Sequence, residues 1–188
     1  MTVGPRPLIV RTQRTFRCAP RVVWPLLCDS KMDRSSAILF KLGVPQPLEC
    51  RLPEGRGGVG SERECVSDQG VVHQRILEWV PDSRLAFRME WTDLPSARSI
   101  SSIEDSFDLL PLGAKVRVVR TTRVGVLGRY SVLKRFALII GLRQVHRYVY
   151  RNWEGLVRRP DGATGAPDPR ETPVPAAESP RRPPPPGP

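Results

Sequence analysis

ISSIEDSFDLLPLGAKVRVVRTTRV, residues 100–124, holds two runs in which apolar and polar residues alternate. Alternation of this kind sends successive side chains to opposite faces of a strand. Pro111-Leu112-Gly113-Ala114 between the runs is turn chemistry, so residues 100–110 and 115–124 are expected to pair as an antiparallel hairpin. Pairing Leu110 with Lys115 sets Leu109 opposite Val116, Phe107 opposite Val118, Asp105 opposite Arg120 and Ile103 opposite Thr122. The apolar members define a buried face; Glu104, Ser106, Asp108, Arg117 and Arg123 define a solvated one. Asp105 and Arg120 fall on the buried side, where charge is rare. They read as a polar anchor for a ligand or as a structural salt bridge, and a shift of one residue would return both to water.

Further strands are expected at 8–17, 46–52, 59–67, 71–80 and 85–91, with turn residues between consecutive runs. For 71–80 and 85–91 two registers stay open. A two-residue loop pairs Val80 with Leu85 and turns Leu85, Phe87, Met89 and Trp91 inward, together with Gln74 and Glu78; a longer loop buries Leu77 and Trp79. Ala19-Pro20 opens a short helix with Val23, Trp24 and Leu27 at helical spacing, and a second runs from about 33 to 42 and ends at Gly43. Residues 129–158 form one long amphipathic helix, roughly 45 Å at full length. Leu138, Leu142, Val145, Val149, Trp153 and Leu156 recur there at steps of three and four, and Leu133, Phe136 and Ile140 widen the stripe.

This order predicts an α+β, helix-grip architecture. A curved antiparallel sheet of about six to seven strands wraps the C-terminal helix, and the two short helices close one end. A sheet gripped on a single helix rarely packs solid, so a cavity is expected between them. Its wall is expected from Leu85, Phe87, Met89, Trp91, Phe107, Val118 and Ile140, with Asp105 and Arg120 as the polar element.

The domain is expected to span residues 6–159. Residues 160–188 are proline-rich, with no aromatic and only Val174 as a larger aliphatic, the composition of a disordered tail. Its PxxP-like segments suit a protein groove, although no partner is identified. The net charge of +11 comes almost wholly from scattered arginines, without basic runs interleaved with aromatics or zinc-finger spacing. That pattern argues against specific nucleic-acid recognition and leaves a weak attraction for anionic membrane surfaces. Cys18, Cys28, Cys50 and Cys65 form no CxxC pair, and no signal-like or membrane-spanning apolar run occurs. A reduced, cytoplasmic protein without metal or cofactor is the expectation.

Three segments carry a family resemblance. They are Cys18 to Asp29, the meander running from Val59-Gly60-Ser61-Glu62-Arg63 through Gln69-Gly70-Val71 to Ile76 to Phe87, and Phe107 to Val116. Together they resemble the START-related, polyketide cyclase and lipid-transfer (SRPBCC) superfamily over about residues 8–157. The resemblance implies the helix-grip fold and a cavity for a small hydrophobic molecule. It does not select among carriers, cyclases and other activities. The stretch DSKMDRSSAILFKLGVP departs from the ubiquinone-binding branch, and no Rieske-type Cys/His set is present.

No catalytic constellation emerges. His73 and His146 are the only neutral-pH proton shuttles, and His146 is expected at the margin of the helix stripe. Tyr130, Tyr148 and Tyr150 could donate to a ligand. No nucleophile elbow appears, and GRGGVG opens no helix, as a phosphate loop must. Binding of a small hydrophobic molecule is therefore the leading expectation. A polyketide cyclase or dehydratase-like enzyme and a tail-mediated interaction module are the alternatives.

Overall fold

A computed structural model describes residues 7–33, 38–52, 57–127 and 132–158. In chain order it contains β1 (Leu8–Phe16), α1 (Pro20–Cys28), β2 (Ser30–Lys31), α2 (Ile38–Lys41), β3 (Pro47–Arg51) and β4 (Glu62–Ser67). β5 (Gly70–Val80), β6 (Arg84–Thr92), a 3-10 turn at Pro95–Ser99, β7 (Ile100–Leu112), β8 (Lys115–Val126) and α3 (Val132–Arg158) complete it. The expected tail, 160–188, lies outside the described residues.

The eight strands form one antiparallel sheet in the order β1-β8-β7-β6-β5-β4-β3-β2. The two-residue β2, too short to show a period, raises the count above the six or seven expected. Neighbours in sequence are neighbours in the sheet except β1, which pairs with β8, Phe16 facing Val116 and Leu8 facing Val124. Pro20 opens α1 at its first turn, where its missing N–H costs nothing. The second short helix is described over Ile38–Lys41, and residues 34–37 of its expected span lie outside the described residues. Phe40 packs edge-on against Tyr148 of α3, their ring centroids 5.1 Å apart.

The core lies between the concave sheet face and α3. Phe16, Ile76, Leu85, Phe87, Phe107, Leu109, Val116 and Val118 meet Tyr148, Val149, Tyr150 and Trp153 there, with Val23 and Leu27 of α1 at one end. Burying a large apolar side chain of this kind contributes about 1.5–3 kcal/mol, so this layer carries the fold.

Both hairpins differ from the expected registers, for reasons lying in the turns. β7 and β8 close on a two-residue Gly113-Ala114 turn, with Leu112 facing Lys115 and φ of 59° at Gly113. The ladder is thereby displaced two positions: Asp105 faces Thr122 and Phe107 faces Arg120. A displacement of two preserves the inward and outward directions, although Ser106, expected on the solvated face, is buried. β5 and β6 are joined through Pro81-Asp82-Ser83, with Asp82 at φ 59°. Trp79 faces Leu85, and a bulge at Leu77 lets Ile76 face Phe87. Ile76 and Trp79 therefore point inward while Leu77 and Glu78 are exposed, a combination neither simple register offered. A second bulge, at Glu90, turns Trp91 onto the convex face opposite His73.

Candidate ligand-binding site on the concave face

The register places Asp105 beside Thr122 with Arg120 on the diagonal. Arg120 Nε donates to Asp105 Oδ1 at 3.0 Å and Nη2 to Oδ2 at 2.9 Å, a bidentate pair with the carboxylate 5% exposed. The Thr122 hydroxyl also donates to Asp105. With its proton so committed, that hydroxyl must accept from His146 Nε2 at 2.9 Å, so Nδ1 is bare and accepts from Thr12 at 2.8 Å. Burial opposes the charge of Asp105, but the charge and hydrogen bonds of Arg120 outweigh it and hold the carboxyl below its ordinary value. Burial, aided by Arg120, pushes His146 down to about 3. The imidazole is thus neutral, fully buried, and committed on both nitrogens. Tyr150 donates to the Thr12 carbonyl at 3.4 Å, so it too is engaged.

A second guanidinium stands on the same wall. Arg63, 4% exposed on β4, donates from Nη1 to Gln74 Oε1 at 2.5 Å and from Nη2 to the Leu27 carbonyl at 3.0 Å. It lies 4.5 Å above the centre of the Phe87 ring. Its Nε has no acceptor among the described residues, and no carboxylate pairs with it there. A buried charge with no carboxylate partner is costly, and besides these neutral oxygens Arg63 acts on the Cys50 thiol, which it makes more acidic. The Trp153 indole N–H is likewise buried without a partner among the described residues.

Aromatic rings connect these groups. Arg120 lies 5.1 Å from the Phe107 ring, Phe107 6.0 Å from Phe87, and Phe107 5.8 Å from Trp153. Cys50 and Cys65 face each other across β3 and β4 as free thiols. A hydrogen bond from Cys65, opposed by burial and supported by Arg63 and Arg120, makes Cys50 the more acidic of the two. That bond and burial keep Cys65 protonated.

Of the residues expected to wall a cavity, Leu85, Phe87, Phe107 and Val118 are buried on the concave face, with Met89 half-buried opposite Gln74. Asp105 and Arg120 join them, through the diagonal. Trp91 is a correction: 56% exposed, it stacks on His73 at 3.6 Å because the Glu90 bulge reverses its direction. Ile140 is another: it is 46% exposed and lies on the side of α3 opposite Val149 and Trp153. His146, expected at the stripe's margin, is among the most buried side chains.

Arg63 and the Cys50–Cys65 pair carried no signal in their own strands, whereas Gln74 and Thr122 are buried on the inner face that alternation allows them. β4 reads ERECVS, whose two faces are nearly equal in polarity. The cavity expected between the sheet and α3 is not seen among the described residues: Phe87, Phe107 and Trp153 pack ring against ring there, and two open grooves of about 440 and 860 Å³ lie between β1 and α3 instead. No helix among the described residues is long and apolar enough to cross a membrane.

No family model matches the sequence, and no curated protein matches it. Solved structures do match in fold. A START superfamily protein from Mycobacterium smegmatis is 12% identical, covers 79% of this chain and 96% of its own, and superposes with a TM-score of 0.55. A protein from Thermus thermophilus is 17% identical over the same shares, 79% and 96%, with a TM-score of 0.55. Ara h 8.0201 is 11% identical, again over 79% and 96%, with a TM-score of 0.56. At such identities the likeness speaks for architecture: the chain has the same helix-grip fold as these structures.

Proposed function

We propose that the protein binds a small, mainly apolar molecule with an anionic or carbonyl head at Arg63 on the concave sheet face, the Phe87–Phe107–Trp153 packing parting to admit it. The observation that carries this reading is Arg63, a buried guanidinium with an unpaired Nε and no carboxylate partner among the described residues. An anionic or carbonyl oxygen reaching that nitrogen would supply the missing acceptor, and the Phe87–Phe107–Trp153 cluster would hold the apolar body. The START-type fold supports a binding role in general terms. Asp105 serves this reading as a fixed counter-ion for Arg120 rather than as the free anchor, because its oxygens are already engaged.

The test is native mass spectrometry of the full chain purified from its own host. A small apolar acid or ketone should travel with the wild-type chain and be lost from Arg63→Gln. A bare mass for the wild-type chain, or an adduct unchanged in Arg63→Gln, would refute the reading.

A further inference from the structure

Helix α3 carries a second pattern on the side turned away from the sheet. Phe136, Ile140, Arg143, Arg147 and Arg151 follow at steps of four, three, four and four, which aligns them in one stripe. All five are exposed, Phe136 by 61%. The basic part of the stripe borders the groove of about 440 Å³, where Arg143, Arg147 and Arg151 converge with Arg11 and Arg14 of β1. Among the described residues only Arg14 of these five has an ion-pair partner, Glu154 at 2.6 Å. Four guanidiniums therefore face one groove without paired acids among those residues.

An exposed aliphatic and an aromatic in line with solvated arginines, on one helix face, match the chemistry of a lipid–water interface. A nucleic acid or an acidic protein would satisfy the arginines alone and leave Phe136 and Ile140 unexplained.

We infer that this face of α3 docks on an anionic phospholipid bilayer, Phe136 and Ile140 entering the interfacial layer and Arg11, Arg143, Arg147 and Arg151 meeting lipid phosphates. The inference stands apart from the ligand reading, since no residue is shared between the two sites.

Flotation of the full chain with phosphatidylcholine vesicles, with and without added phosphatidylglycerol, tests it. The chain should float with the anionic vesicles only, and less as salt rises. Arg143→Gln/Arg147→Gln/Arg151→Gln should lower partition on the order of a hundredfold. Phe136→Ser/Ile140→Ser should weaken it at high salt as well. A matched variant on the convex sheet face, Arg88→Gln/Arg117→Gln/Arg123→Gln, should stay within about threefold of wild type, allowing for the lost net charge. Equal flotation with neutral and anionic vesicles would overturn the inference. So would equal losses in the two arginine variants, or retention of DNA without any vesicle binding. Circular dichroism confirms that each variant is folded, and a loss confined to unfolded chains counts against the inference.

Discussion

Arg120 reaches Asp105 along the diagonal of the β7–β8 ladder, its Nε and Nη2 3.0 and 2.9 Å from the two carboxylate oxygens. The ladder itself sets Phe107 across from Arg120, so the guanidinium leans along the strand over that ring. A charged pair is thereby held inside an apolar wall by geometry that leaves neither carboxylate oxygen vacant.

Removing one partner should cost far more than removing both. Asp105→Ala strands a buried guanidinium and should destabilise the fold by about 3–5 kcal/mol. Asp105→Leu/Arg120→Met replaces the pair by apolar groups of similar volume and should recover most of that loss. Denaturant unfolding of the two variants measures the difference. A double variant as unstable as the single one would show that the pair's contacts with Thr122 and Phe107 matter more than its charge balance.

His146 should give the protein an acid-sensitive stability. Burial first, and Arg120 second, lower it from 6.5 to about 3. The unfolded chain takes up a proton below about 6.5 that the folded chain refuses until about 3, so stability present at neutral pH is lost as pH falls through that window. The slope should approach about 1.4 kcal/mol per pH unit in the middle of the window. Asp105 contributes only lower down, since its folded value lies below the ordinary 3.8 and its stabilisation fades as pH falls past that point. Unfolding curves of wild type and His146→Asn between pH 6.5 and about 4 should therefore diverge in slope. Parallel curves would assign the acid limb to other groups.

Phe107 and Trp91 should respond in opposite ways to truncation, although both sit on strands of the same sheet. Phe107→Ala opens a void among Phe87, Trp153 and the Arg120 stem and should cost about 3–5 kcal/mol. Trp91→Ala removes only the stack on His73 at the convex surface and should cost about 0.5–1.5 kcal/mol. Thermal or denaturant melts of the two variants decide it, and comparable losses would contradict the outward placement of Trp91.

Much of the concave wall was legible from alternation alone. Leu85, Phe87, Phe107 and Val118 were assigned inward, and they are buried. The Asp105–Arg120 pair survived a wrong register because the displacement was two, and strand faces repeat with that period. Trp91 did not survive, because one bulged residue reverses every later side chain and leaves no trace in the apolar pattern. Ile140 was misplaced for a different reason. At about 100° per residue it lies on the far side of α3 from Val149 and Trp153, so it never belonged to the stripe that the sheet covers.

The buried charge in the chain therefore belongs to two levels of organisation. Sequence alone determined that one strand hairpin would carry Asp105 and Arg120 to the interior, since inward and outward are set by local periodicity. Only the tertiary structure decided what meets them. His146 comes from α3 and Thr12 from β1, the terminal strand paired with β8, while Arg63 shares the same wall from a strand four places along the sheet from β8. Those encounters depend on sheet curvature and helix placement, to which residues distant in sequence all contribute, and no local pattern encodes them.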